Sequence, residues 1–237
     1  MTNYRHQPID RLEAVVFDLD GTLVDSAQDI ASGLNHALAE EKLRSVPLAD
    51  VRAMIGDGVR ALAVKALRWQ DMEPEPAIVD RILQSFLTFS HAAPVQASTL
   101  FPGVEHMILT LRKAGIKIGI CTNKQHGLAL RVVEALRLGP LTDQLVGGGE
   151  FAMKPDPAPL LATIQRLSAS PSAAIYVGDM RVDFLTAIAA DVAFLGIDHG
   201  DWNADLTDLP PPVIARGADE LGGFLLETEA CAALYEP

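Results

Sequence analysis

Cysteine is scarce in this chain. Cys121 and Cys231 are the only two in 237 residues. Two thiols so far apart build neither a disulfide framework nor a zinc site of paired cysteines. Long apolar runs are also missing, since no stretch approaches the roughly 18 residues of a membrane-spanning helix. The N-terminal "MTNYRHQPIDRLEAVVFD" lacks the basic-then-apolar layout of a signal peptide, so a cytoplasmic protein is expected. Basic residues are in deficit. Lys and Arg number 19 against 31 Asp and Glu, a net charge of −12. Such a surface disfavours nucleic acid and anionic membrane as partners, and an anionic substrate would need local positive charge. No internal repeat or low-complexity tract is present.

What is there reads as an α/β protein of ordinary composition, 49% hydrophobic and 21% charged. Its length suffices for one large domain or a domain with an insertion. Strands are expected at 14–19, 116–122, 144–147, 173–178 and 192–197, most of them apolar on both faces, as in a covered parallel sheet. Helical patterns fall at 104–114, 125–136, 157–167 and 183–190. This alternation implies a doubly wound layered fold. It breaks between about 27 and 97, where only helical patterns occur: 27–42, 48–55, 59–69 and 76–91. Seventy helical residues exceed one crossover, so an inserted helical subdomain is expected, with 93–98 and 100–104 as the return linker. The segment 200–212 reads as an acidic surface loop.

The candidate chemistry lies at the strand ends, where open parallel sheets bind ligands. "AVVFDLDGTLVDS" at 14–26 ends the first strand on Asp18 and Asp20. Alternation points these two the same way, about 6.6 Å apart along the chain, with Leu19 in the other layer. Gly21 lets the backbone turn, and Thr22 is expected to bond locally. Asp25 and Ser26 read as a helix start outside the site. "AAIYVGDMRVD" ends another strand on Asp179 and Asp183, which would share a helix face. Four carboxylates at one sheet edge repel one another, and a hard divalent cation removes the conflict. Mg²⁺ suits a few carboxylates plus water and a substrate phosphate. Thr122 and Asn123 end the second strand, where a hydroxyl and backbone amides can hold a phosphoryl oxygen. Lys154 is a compact cation in a loop before a proline-opened helix. Alternation turns Cys121 away from Thr122, as a buried strand residue. His36, His91, His106, His126 and His199 show no ligand spacing.

The set DLDGT at 18–22, CTN at 121–123, KPDP at 154–157 and GDMRVD at 178–183 resembles the haloacid dehalogenase superfamily of phosphohydrolases. The motifs follow the family's order and span the chain. The resemblance implies a Rossmann-like core over 1–25 and 98–237 and a mobile helical cap over 26–97. It implies Asp18 as nucleophile, forming an aspartyl-phosphate, and Asp20 as general acid and then base. Thr122, with Asn123 beside it, would bind the phosphoryl group, and Lys154 would bridge phosphate and Asp18. Mg²⁺ would be held by Asp18, the backbone carbonyl of Asp20 and Asp179, with Asp183 in support. Many relatives carry Ser or Thr where this chain has Met180. "MIGDGVRAL" at 54–62 resembles the substrate loop of phosphoglycolate phosphatase-like caps, which makes Gly56, Asp57, Gly58 and Arg60 candidate substrate contacts.

A small phosphorylated metabolite is the expected partner, with 2-phosphoglycolate leading. Sugar-phosphate or nucleotide phosphatases, a pyrophosphatase and a β-phosphoglucomutase-like phosphotransferase remain alternatives. Asp20 argues against a dehalogenase proper, which has no alcohol to protonate. Lys42 and Lys65 lack the setting of a Schiff-base lysine. A non-catalytic binding protein would lack Asp18, Asp20 or Lys154, and a dinucleotide-binding protein would carry a glycine-rich helix start. Monomer and homodimer stay open.

Overall fold

The computed structural model describes residue 9 and residues 11–200 and 214–226. A six-stranded sheet forms the centre, in the order β5-β4-β1-β6-β7-β8. Its strands are β1 (Ala14–Phe17), β4 (Lys117–Gln125), β5 (Gln144–Gly148), β6 (Ala174–Gly178), β7 (Ala193–Asp198) and β8 (Ile214–Arg216). Every pairing is parallel. β1 lies innermost, with Ala14 opposite Lys117 on one side and Ala174 on the other. The order reverses at β1, so the crevice beyond its carboxyl end is the natural ligand position.

Alternation divides the core. Val15 and Phe17 of β1 join Ile118, Ile120, Ile175 and Val177 beneath α5 (Val104–Lys113), α6 (His126–Ala135) and α9 (Gly217–Leu226). Ala14, Val16 and Tyr176 face α7 (Ala158–Arg166) and α8 (Arg181–Ala190). Burial on both faces is why these strands read as unbroken apolar runs. Cys121 is a free, buried thiol within the second layer, and burial pushes its pKa up to about 12. It behaves as a small core residue.

Four helices interrupt the alternation: α1 (Ala27–Glu40), α2 (Leu48–Arg52), α3 (Gly58–Trp69) and α4 (Pro76–Ala92). They bury a cluster of their own, including Leu34, Leu38, Leu67, Ile82 and Phe86, which meets the core at Leu128 of α6. Where the chain leaves and rejoins the sheet layer, β2 (Val24–Asp25) and β3 (Thr99–Leu100) pair antiparallel. Asp29, in the first turn of α1, accepts backbone hydrogen bonds from Gln96, Ala97 and Ser98 and one from Ser98 Oγ at 2.5 Å.

Several elements differ from the sequence expectation. β1 stops at Phe17 instead of 19, although Asp18 N–H still donates to Val177 O at 2.9 Å. β4 continues through Gln125, and its register against β5 shifts between Cys121 and Gln125. That irregularity frees Thr122–Lys124 from strict alternation. α8 begins at Arg181, so Asp179 lies outside the helix and a loop brings it to Asp183. Asp25 belongs to β2. The two-residue strands, β8 and α9 were not anticipated. α9 holds Gly217, Gly222 and Gly223, which obscure a helix in sequence, yet Ala218, Leu221 and Leu225 bury one face of it. Of the expected acidic loop at 200–212, all beyond Gly200 lies outside the described residues, as does Cys231. Among the described residues no helix is long and apolar enough to cross a membrane.

Candidate active site

The loops after β1, β5 and β6 and the end of β4 converge at the carboxyl edge of the sheet. Asp18, Asp179 and Asp183 place carboxylate oxygens within 4.8 Å of one another. The Asp20 carboxylate stands outside this trio and points to the neighbouring cavity. Asp18 lines that cavity as well, although the chain has left the strand before Asp20. Leu19 O accepts from both Leu23 N and Val24 N, and Gly21 takes φ +90° to close the turn. A side chain at Gly21 would collide with the Asp179 carboxylate. Thr22, expected to bond locally, instead donates to Asp179 Oδ1 at 2.7 Å and orients it.

Lys154 is the cation of the cluster. Its ammonium lies 2.9 Å from Asp18 Oδ1 and 2.6 Å from Asp183 Oδ1, and it donates to the Tyr176 hydroxyl at 2.8 Å. Burial alone would push this lysine down, but Asp18 and Asp183 outweigh it and hold its pKa above the usual range. Asp183 is wholly buried. Besides Lys154 it accepts from the Tyr176 hydroxyl at 2.9 Å and from Met180 N–H at 3.1 Å, closing the start of α8. One lysine does not balance three carboxylates, two of them buried and Asp179 half-buried. Burial, with repulsion from Asp183 and Asp20, raises Asp18 from 3.8 to about 6 against the opposing pull of Lys154. Burial followed by Asp183 and Asp18 lifts Asp179 well above its ordinary value. Burial and repulsion drive Asp18 and Asp179 toward protonation, and with Asp183 they form a set of hard oxygen donors that suits a divalent cation.

Asn123 does not face the cavity as a free donor. Its Nδ2 donates to Gly56 O at 3.0 Å and Lys154 O at 3.2 Å, and its Oδ1 accepts from Lys154 N–H at 2.9 Å. It therefore ties the Lys154 loop to the helical layer. Gly56 and Gly58 do line the cavity, with φ of +117° and +82°. A Cβ on Gly56 would come within 2.5 Å of Met180 Sδ, and one on Gly58 would strike Met153. Met180 thus packs on the Gly56 backbone and gives the departure in the fourth motif a physical role. The expectation for Asp57 and Arg60 changes. Asp57 pairs with Lys65 at 2.6 Å, and Arg60 pairs with Asp80 on the exposed side of α3. Neither lines the cavity.

Sequence reasoning passed over three side chains here. Lys124 Nζ is 2.8 Å from both Asp20 oxygens. Ser26 donates to Asp20 Oδ1 at 2.5 Å and leaves the start of α1 without a side-chain cap. Tyr176 holds Lys154 and Asp183. Lys124, beside Thr122 and Asn123, carried a signal in its position. Tyr176 read as one more apolar strand residue.

The matching family model is the haloacid dehalogenase-like hydrolase, over residues 15–197. The chain belongs to that family. A curated relative from Cereibacter sphaeroides, a phosphoglycolate phosphatase, is 37% identical over 215 residues, covering 90% of this chain and 98% of that protein. The phosphoglycolate phosphatase of Rhodospirillum rubrum is 37% identical over 219 residues and 90% of each chain. A crystal structure of a predicted phosphoglycolate phosphatase from Haemophilus somnus matches with a TM-score of 0.79 at 26% identity, covering 89% of this chain and 96% of that one. By family and kinship this chain is a phosphatase-type hydrolase.

Proposed function

We propose that the chain is a Mg²⁺-dependent phosphomonoesterase that hydrolyses 2-phosphoglycolate through an aspartyl-phosphate on Asp18. The observation that carries this reading is the close group of Asp18, Asp179 and Asp183, two of them buried, beside Lys154. Asp18 and Asp179, with the backbone carbonyl of Asp20, would hold the metal. Asp183 would support it indirectly, since Lys154, Tyr176 and Met180 N–H already engage its oxygens. When bound, the cation supplies the positive charge that offsets repulsion between Asp18 and the phosphoryl oxygens.

The residues divide the chemistry. An Asp18 oxygen bonds to phosphorus, and the ester oxygen departs with the bonding pair. Asp20 gives that oxygen a proton, then takes one from the water that attacks the aspartyl-phosphate, releasing phosphate and restoring Asp18. Thr122 and Lys154 hold the phosphoryl oxygens in place. Helices α1–α4, within residues 26–97, act as a cap over the core of 1–25 and 98–237. Their separate apolar cluster, the β2–β3 neck and the Asn123–Gly56 hydrogen bond support that division.

Two cavities meet at Asp20, one of about 310 Å³ that Arg52, Asp179 and Met180 line and a smaller one that Asp18 and Thr122 line, and the smaller favours a small leaving group. The smaller holds about 50 Å³ and is bounded by Ile55, Gly56, Leu62 and Phe86 opposite Asp18 and Thr122. A two-carbon acid suits that space better than a hexose or nucleoside. Hydrolysis assayed with Mg²⁺ across 2-phosphoglycolate, hexose phosphates, nucleotides and pyrophosphate is expected to give the highest kcat/KM for 2-phosphoglycolate. A higher value for a hexose phosphate or a nucleotide overturns the substrate assignment.

A further inference from the structure

Lys124 is the one cationic side chain among the described residues that line the smaller cavity of Asp18, Asp20 and Thr122, whereas Arg52 lines the larger one. The Lys124 side chain is 8% exposed and its ammonium rests on both Asp20 oxygens. Lys154 does not line the smaller cavity, and its ammonium is engaged by Asp18, Asp183 and Tyr176. Opposite Lys124 the walls are apolar: Ile30, Ile55, Leu62, Phe86 and Leu128. An anion placed among such walls without a cation would meet a steep desolvation cost.

The geometry constrains where a substrate carboxylate goes. Asp20 must reach the ester oxygen to protonate it. In a phosphate ester of a 2-hydroxy acid, the carboxylate is joined to that oxygen through a single carbon. It therefore enters the cavity beside Asp20, within reach of the Lys124 ammonium. We propose that Lys124 binds the leaving-group carboxylate and selects phosphate esters of small hydroxy acids over phosphate esters of uncharged alcohols of equal size. Without substrate the ammonium is held by Asp20; with substrate it turns to the incoming carboxylate. Lys is suited to this as a point charge on a flexible stem. The proposal rests on the phosphomonoesterase reading above and deepens it to the chemical class of the substrate.

The test compares 2-phosphoglycolate with ethyl phosphate, which has the same two-carbon leaving group without the carboxylate, in the Mg²⁺-loaded enzyme. Wild type is expected to prefer 2-phosphoglycolate. Lys124→Met is expected to lower the ratio of the two kcat/KM values at least about tenfold, chiefly through KM for 2-phosphoglycolate. Lys124→Arg is expected to restore part of the ratio. The ratio does not depend on the fraction of active protein, and Lys124→Gln serves the same comparison where the Met variant is too slow to assay. Equal losses on both esters, with the ratio intact, overturn the proposal and leave Lys124 as a residue that only positions Asp20. Absence of any wild-type preference overturns the 2-phosphoglycolate reading itself, and this proposal with it.

Discussion

Asp18 stands at the meeting point of three loops, and its neighbours define its role. Lys154 contacts one oxygen, Asp179 and Asp183 crowd it, and Asp20 lies beyond the next turn. Asp18→Asn keeps size and shape while removing the anionic nucleophile. It is expected to lower kcat by more than about 1,000-fold with little change in the unfolding curve. A rate near wild type on p-nitrophenyl phosphate would rule out Asp18 as the attacking group. Motif residues also divide into those that line the cavity and those whose polar groups hold others in place. Thr122 lines the cavity, whereas the Asn123 amide is satisfied by Gly56 and Lys154. Arg60 looked like a substrate cation from its position after the glycines, and α3 turns it outward to Asp80.

At the scale of elements, the exchange between helical layer and sheet layer runs through a narrow neck. Asp29 clamps it by gathering the N–H groups of 96–98 and the Ser98 hydroxyl. Burial alone would push this carboxyl up, but the hydrogen bonds from Ser98, Gln96 and Ala97 overcome it and hold the pKa below its ordinary 3.8. A lowered folded value contributes stability that is present above 3.8 and is lost as pH falls through the folded value. Asp29→Ala is expected to lower Tm by roughly 2–4 °C at neutral pH. The gap between variant and wild type should close in thermal melts below pH 3.8. A gap that is constant with pH would assign the loss to packing. Sequence showed the helices and the linker but not the clamp, because its partners lie 67 to 69 residues apart.

For the whole molecule, the uncompensated carboxylates at the sheet edge set the link between metal and stability. A raised folded pKa means that the folded protein keeps a proton the unfolded chain has lost. The metal-free protein is therefore penalised increasingly as pH climbs from 3.8 to about 6, and fully above that. On the proposed reading Mg²⁺ binds Asp18 and Asp179 in their ionised form, so it would relieve this penalty and compete with protons. Added Mg²⁺ is expected to raise Tm more at about pH 7.5 than at about pH 5, and EDTA should abolish both increments. Equal increments at the two pH values would place the metal elsewhere. The net charge of −12 makes this local chemistry more demanding, since an anionic substrate must find Lys154 and Lys124 within a negative surface.

The sequence by itself determined the layered parallel sheet, the break in alternation at the four helices, and the residue types at the strand ends. Those features are local. Burial on both faces writes unbroken apolar runs, helical periodicity writes its own pattern, and DLDGT, CTN, KPDP and GDMRVD each lie within a few residues. Only the tertiary structure decided which carboxylates share a site, that Thr22 reaches Asp179, that Met180 packs on Gly56, and that Lys124 lies on Asp20. Each of these joins parts of the chain far apart in sequence. The register shift in β4 and the turn at Gly21 aim the side chains, and no spacing rule along one strand encodes that aim.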